Sequence, residues 1–288
     1  MYIKSGFREV ILKLISLIPI KDKNLFRFKI RQIFICTLLN LYSFYPFSKF
    51  SRFFFYSLSD KFLNYEKLYN LVGFLKKKSE VKSVLEIGIG GHNKKFSGGY
   101  SLIAMRYFYK KAKIYGLDIN DKKFLDSKNI KTFQGSQDDI SLLNKIGDNH
   151  GPFDLIIDDG SHYVDHQLIS FKTLWRHLNN NGFYIIEDIS GSYFTRLRGS
   201  PDLEENKNLV TFFSKLNHMV NAESLLKKWI DQSKEYININ DIYFFKNAIV
   251  IKKKNYNKDI EGLRIEEAQK EFESNKNQEG SLNITDDF

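Results

Sequence analysis

The sequence FDLIIDDGSHYVDHQ spans residues 153–167, and after a short spacer LNNNGFYIIEDIS spans residues 178–190. Two apolar runs, Leu155-Ile156-Ile157 and Phe183-Tyr184-Ile185-Ile186, each stop abruptly at paired acids. Asp158 and Asp159 close the first run; Glu187 and Asp188 close the second. Runs of β-branched and aromatic residues bounded by turn residues read as buried strands. Between them, residues 164–178 have the length and apolar spacing of a helix. Strand, helix, strand favours a parallel sheet. In such a sheet both acid pairs stand at carboxyl ends of strands, where open α/β sheets bind ligands. Carboxylate oxygens converging on one point suit a hard cation such as magnesium. One pair alone would read as solvated loop acids. Two pairs, with His162 beside the first, point to a site.

Working outward, Val84-Leu85-Glu86-Ile87-Gly88 reads as a first strand followed by Gly90-Gly91. Glycines just after a strand allow close backbone approach to a ligand, although many loops contain three glycines. A helix is expected from Leu102 to Lys110. Lys113 to Leu117 reads as a second strand ending in Asp118, an acid placed to accept bonds from two ribose hydroxyls. Ile130 to Phe133 is a short third strand leading into Gly135-Ser136-Gln137-Asp138-Asp139. A helix from Ile140 to Ile146 follows, with Asp138 or Asp139 as its cap. Residues 191–206 are polar and irregular and carry Tyr193, Arg196 and Arg198, the pattern of a lid or substrate loop. Helical patterning returns at 209–229. Residues 241–254 read as a hairpin turning at Lys246-Asn247, which adds an antiparallel strand to the sheet. From residue 255 the chain is charged and poor in large apolar residues. A solvent-facing helix is expected over 260–272, and disorder over the last 15 residues.

The 288 residues are 42% hydrophobic and 15% aromatic, enough for one large domain with an appendage. The single cysteine, Cys36, excludes an internal disulfide and indicates a reducing, cytoplasmic compartment. Residues 1–80 hold fifteen of the 44 basic residues and five of the 34 acids, so the whole net charge of +10 resides there. The neutral remainder argues against a nucleic-acid groove. Within 1–80, the apolar stretches 7–20 and 33–47 are each shorter than the ~20 residues of a spanning helix. No small-residue cleavage site follows Ile20, so a signal peptide is not expected. Three readings of this segment stay open. It is a helical cap on the main domain, a peripheral helix on the inner face of an anionic membrane through residues 1–60, or a homo-oligomer contact. Helical spacing at Leu68, Leu71, Val72 and Leu75 marks a further helix from Tyr65 to Lys78.

The order of strands and loops resembles the class I S-adenosylmethionine-dependent methyltransferases over residues 81–254, about 60% of the chain. Val84-Leu85-Glu86-Ile87-Gly88-Ile89-Gly90-Gly91 is similar to the family's first motif. Tyr115-Gly116-Leu117-Asp118-Ile119-Asn120 is similar to its second, and Gly135-Ser136-Gln137-Asp138-Asp139 to its adenine-side loop. Asp158-Asp159-Gly160-Ser161-His162, with His166 four residues on, then Gly182-Phe183-Tyr184-Ile185-Ile186-Glu187-Asp188, resembles a narrower group. That group is the metal-dependent macrolide-sugar O-methyltransferases of the mycinamicin and demethylmacrocin type. Gly98-Gly99-Tyr100-Ser101-Leu102 and the hairpin at 242–252 fit it too. Ser136 departs from it, since an acid is common there, and residues 1–80 carry no match.

The resemblance implies an α/β, doubly wound, mostly parallel seven-stranded sheet, Rossmann-like, with an antiparallel C-terminal hairpin; the patterning of residues 1–80 adds a helical N-terminal segment. The resemblance covers a domain at 81–254, while composition sets apart residues 1–80 and a polar tail at 255–288. It implies magnesium on Asp159, Glu187 and Asp188, with His162 as general base. S-adenosylmethionine would be held by Glu86, Gly88, Gly90, Asp118, Gln137, Asp138 and Asp158. The acceptor would be a sugar with vicinal hydroxyls. Independent chemistry agrees, because a divalent cation lowers the pKa of a weakly acidic hydroxyl and an imidazole can then remove its proton at neutral pH. His166 is open between a structural hydrogen bond and a catalytic role; His92, His150, His177 and His218 read as structural or exposed. An NAD-dependent oxidoreductase lacks support in the glycine spacing. A membrane-associated scaffold with a degenerate methyltransferase fold, and a metal-dependent hydroxylase-like relative, are the alternatives. The acid and histidine set looks complete, which weighs against a decayed site.

Overall fold

The computed structural model describes residues 61–92, 96–205 and 207–255, with residue 30 and helical residues between 266 and 274. The membrane reading of residues 1–60, the same part of the cap and oligomer readings of residues 1–80, and the disorder expected at the end of the chain, lie outside the described residues. No described helix is long and apolar enough to cross a membrane.

Helix α1 (Lys61–Leu75) leads into β1 (Ser83–Ile87), α2 (Tyr100–Phe108), β2 (Lys113–Asp118) and β3 (Ile130–Gln134). Then follow α3 (Ile140–His150), β4 (Phe153–Asp158), α4 (Val164–Leu174) and β5 (Leu178–Glu187). Helices α5 (Leu209–Leu216) and α6 (Lys227–Ser233) precede the hairpin of β6 (Ile239–Phe245) and β7 (Ala248–Lys253). The seven strands lie in the order β3-β2-β1-β4-β5-β7-β6. The first five pair in parallel, and β7 runs antiparallel between β5 and β6. The expected α/β sheet with its antiparallel closing hairpin is what forms.

Each strand feeds two cores because successive side chains point to opposite faces. Leu155, Ile157, Phe183, Ile185 and Val250 enter one apolar cluster; Ile156, Tyr184, Ile186, Ile249 and Ile251 enter the other. Every residue of β4 is buried, as expected of a parallel strand covered on both sides. That burial explains the uninterrupted apolar run Leu155-Ile156-Ile157 at the centre of β4.

Helix α1 belongs to the first of these cores. Tyr65, Leu68, Tyr69 and Val72, spaced three and four apart, are all buried in the cluster that contains Val84 of the first strand. The helix stops at Leu75, before the Lys76-Lys77-Lys78 run. Lys76 then turns inward to Asp154 at 3.3 Å and donates to the Asn181 carbonyl at 3.1 Å. Other boundaries also shift: the helix expected over 164–178 ends at Leu174, and β5 begins at Leu178. The helix at Ile140 runs on to His150, and Asp139 caps it by accepting from the Leu142 N–H at 2.9 Å. The 209–229 patterning divides into α5, a 3-10 stretch containing the non-helical Asn221, and α6.

Leu68 is fully buried. Leu68→Ala is therefore expected to lower the unfolding free energy by about 2–5 kcal/mol. A urea titration checks this, and a loss below about 1 kcal/mol would show that α1 is not part of the cooperative unit.

Candidate active site

The carboxyl ends of β1, β4 and β5 are neighbours in the sheet, and their loops interlock. The Asp159 N–H donates to the Ile87 carbonyl at 2.9 Å, and the Gly88 N–H donates to Leu117 at 2.8 Å. Gly88 sits at φ +82, and a Cβ there would lie 2.0 Å from the Asp159 carbonyl oxygen. Packing between the two loops thus demands this glycine. Gly90, at φ +70, is different: a Cβ there would meet nothing within 4 Å. It forms an open backbone floor, the surface a ligand can approach closely.

Lys122 secures that floor. Its Nζ donates to the carbonyls of Gly90 at 2.7 Å, His92 at 3.0 Å and Ser97 at 3.0 Å. An ammonium has three donors, and all three are used. Burial pushes the Lys122 pKa down, opposed by the charge of Asp118. A lysine in a loop reads as a surface residue, so no signal in the sequence marks it. Asp118 itself accepts from Ile89 N at 2.9 Å, Asn120 N at 2.8 Å and Asn120 Nδ2 at 3.2 Å. A carboxylate has about four acceptor sites, so three are taken within the protein. Glu86 is buried and accepts from the Ser101 hydroxyl at 2.6 Å.

Two residues expected to face a cofactor are turned inward instead. Asp158 is fully buried, and both its oxygens accept from Gln137 Nε2, at 3.1 and 3.2 Å. Gln137 Nε2 also reaches Ser170 Oγ at 3.0 Å, while its Oε1 accepts from Ser161 N at 2.5 Å. The side chains of Gln137 and Asp158 are therefore spent on holding the 158–161 loop. Burial pushes the Asp158 carboxyl up to about 7, reinforced by the nearby Asp159 charge. Bonds from Ser170, Gly160 and Gln137 pull the other way. Asp138 stays half-exposed, and its hydrogen bond from Ser136 holds its carboxyl below the usual range. That contact gives Ser136 a role without a charge of its own.

The structure brings together Asp159, His162 and Asp188, whose ligand atoms all lie within 4.8 Å of one another. His162 Nε2 is 3.9 Å from Asp188 Oδ2. Both residues adopt left-handed backbone, His162 at φ 59 and Asp188 at φ 56. Such conformations cost of order 1–3 kcal/mol each and persist only where surroundings enforce them. Two carboxylates and an imidazole at this spacing can hold a divalent cation or accept a proton.

Glu187 does not join that group of three. Its carboxylate is fully buried and accepts a hydrogen bond from the Tyr69 hydroxyl. Asp188 Oδ1 accepts from the Tyr65 hydroxyl at 2.7 Å and from Asn247 Nδ2 at 2.6 Å. Tyr65 and Tyr69 come from α1, before the first strand, and sequence reading treated that stretch as an appendage. Their only local signal is aromatic residues four apart on one helix face.

His166 makes structural contacts. Its Nδ1 is 2.9 Å from Ser161 Oγ, and its Nε2 is 3.2 Å from Asp138 Oδ2 and 3.1 Å from Arg198 Nη1. Arg198 also pairs with Asp165 at 2.7 Å and lies over the Tyr163 ring at 4.4 Å. The polar 191–206 stretch is thereby tied to the start of α4.

No family model matches the chain. A tetracenomycin relative from Streptomyces olivaceus, 8-demethyl-8-(2-methoxy-alpha-L-rhamnosyl)-tetracenomycin-C 3'-O-methyltransferase, is 46% identical over 110 residues. That match covers 38% of this chain and 28% of that protein. The mycinamicin VI 2''-O-methyltransferase of Micromonospora griseorubida is 43% identical over 122 residues, covering 42% and 31%. Among solved structures, the MycE methyltransferase of the mycinamycin biosynthetic pathway, in complex with Mg, SAH and mycinamycin VI, aligns with a TM-score of 0.65. It is 31% identical, over 73% of this chain and 54% of that one. The match thus spans about a third of the curated relatives and about half of the solved structure. The fold is that of the class I methyltransferases, and the matching relatives are sugar O-methyltransferases.

The buried Asp158 carboxyl has a folded pKa of about 7 against an ordinary 3.8. Because the folded value is raised, the stability it lends is complete below about pH 4 and lost as pH rises through about 7. Denaturation of wild type and Asp158→Asn across this range is expected to show the wild-type advantage shrinking by about 1.4 kcal/mol per pH unit. A constant difference would contradict it. Lys122→Met leaves three carbonyls without their donor and is expected to cost about 1–3 kcal/mol in the same titration.

Proposed function

We propose that the protein is an S-adenosylmethionine-dependent, magnesium-assisted O-methyltransferase. Its acceptor would be a sugar hydroxyl on a glycoside, a nucleotide sugar or a surface glycan. The observation that carries this reading is the gathering of Asp159, His162 and Asp188 within 4.8 Å, beside the open floor at Gly90. The donor set fits a hard cation, being dominated by carboxylate oxygen. The floor fits a ligand that approaches backbone closely, and the nearby acids Glu86 and Asp118 suit one that carries a positive sulfonium. The relatives named for methylating rhamnosyl-tetracenomycin and mycinamicin support a sugar as acceptor.

In this reading residues 81–254 form the catalytic domain, with α1 packed onto it. Asp159 and Asp188 would hold a magnesium ion, and Glu187 adds negative charge from the buried side. Gly88 and Gly90 would line the cofactor, Asp118 would offer its remaining acceptor site to the ribose, and Asp138 would border the adenine. When bound, the ion supplies Lewis acidity that lowers the pKa of the acceptor hydroxyl, and the cofactor supplies the methyl group. His162 takes the hydroxyl proton at Nε2, the nitrogen on the cluster side. A neutral imidazole suits that step near pH 7. The rest of the acceleration comes from holding the acceptor oxygen in line with the methyl. The basic residues 1–60 would touch an anionic membrane surface on the cytoplasmic side, supported by the charge gathered in residues 1–80.

Calorimetric titration of S-adenosylmethionine, with methyl transfer assayed on glycoside acceptors with and without magnesium, tests the reading. Asp159→Ala is expected to keep cofactor binding while losing magnesium-dependent turnover by about 100-fold or more. Equal turnover of that variant in the presence of a chelator would remove the metal from the mechanism.

A further inference from the structure

Tyr65 and Tyr69 stand one helical turn apart on α1, and both hydroxyls reach the acid pair that ends β5. The Tyr65 hydroxyl has a single proton and two lone pairs. It lies 2.7 Å from Asp188 Oδ1 and 3.3 Å from the Asn247 carbonyl, so the proton goes to Asp188. Its lone pairs accept from Asp188 N at 3.0 Å and Asn247 Nδ2 at 3.0 Å. The hydroxyl is saturated, and it clamps both the backbone and one carboxylate oxygen of the same residue.

Asn247, in the β6–β7 turn, completes the clamp. One amide proton goes to Tyr65 and the other to Asp188 Oδ1 at 2.6 Å, while its Oδ1 accepts from Ser190 N at 2.7 Å. Two donors therefore occupy Asp188 Oδ1. The other oxygen, Oδ2, is the one that faces His162. Next to this, Tyr69 holds the buried Glu187 carboxylate.

We propose that Tyr65 is a positioning residue for the metal, fixing Asp188 so that Oδ2 alone is presented to the ion, with Asn247 as its partner. The proposal rests on the magnesium reading above. Carboxylates that bind metals are oriented by such outer hydrogen bonds, and their loss commonly reduces metal affinity 10- to 100-fold. Without the hydroxyl, Asp188 loses its N–H acceptor and Oδ1 loses one of its two donors, so Asn247 alone holds the carboxylate.

The test is calorimetric magnesium titration of the full-length protein, with manganese binding followed by electron paramagnetic resonance as a second readout. Tyr65→Phe is expected to weaken magnesium binding about 10-fold or more, with binding of S-adenosylhomocysteine unchanged. Asn247→Gly removes the other donor while tolerating the positive φ of 64, and is expected to act in the same direction. It keeps the test open if Tyr65→Phe is poorly folded. Unchanged magnesium affinity in either folded variant would reduce the clamp to packing and overturn the proposal alone. Absence of magnesium binding in the wild type would overturn both the proposal and the metal reading beneath it.

Discussion

The rest of this structure depends on keeping four carboxylates close together at one end of a sheet. Glu86, Asp159, Glu187 and Asp188 come from the ends of three adjacent strands. Like charges in a partly buried space repel, and desolvation adds to the cost. Hydrogen-bond donors placed from elsewhere in the chain offset it. Ser101 serves Glu86, Tyr69 serves Glu187, and Tyr65 with Asn247 serves Asp188. Burial raises the Tyr69 pKa well above the ordinary value, and the charges of Glu187, Glu86 and Asp159 add to it. The hydroxyl remains protonated and keeps donating.

A second layer of support lies beneath the first. Asp158, Gln137 and Ser170 form a buried polar group that holds Ser161 N and so shapes the loop carrying Asp159 and His162. Lys122 does the same for the glycine loop, from its three carbonyls. Both devices are internal to the protein, and both fix loop backbone at the carboxyl end of the sheet. Precise geometry at such a site comes from these supporting shells as much as from the residues that touch a ligand.

The strand ends at Asp118, Asp158 and Glu187 were readable because a buried strand announces itself in consecutive residues and the acid follows at once. His162 and Asp159 were readable for the same reason, being within four residues of a strand end. The inward turn of Asp158 was not, since two adjacent acids look equivalent until alternation places one on each face. Asp188 at φ 56 has no sequence marker either. Only its partners show why it tolerates that conformation.

By itself, the sequence determined the alternating strands, the parallel crossover units, the closing hairpin and the set of acids at the strand ends. These rest on local periodicity and on chemistry within a few positions. The tertiary structure alone decided which oxygens face the cluster, that Glu187 sits under Tyr69, and that α1 is part of the site. Those contacts join residues 123 positions apart for Tyr65 and Asp188, and 118 apart for Tyr69 and Glu187. No local pattern carries information over that distance. It is set where the helix packs on the sheet, and the site is complete only when that packing has formed.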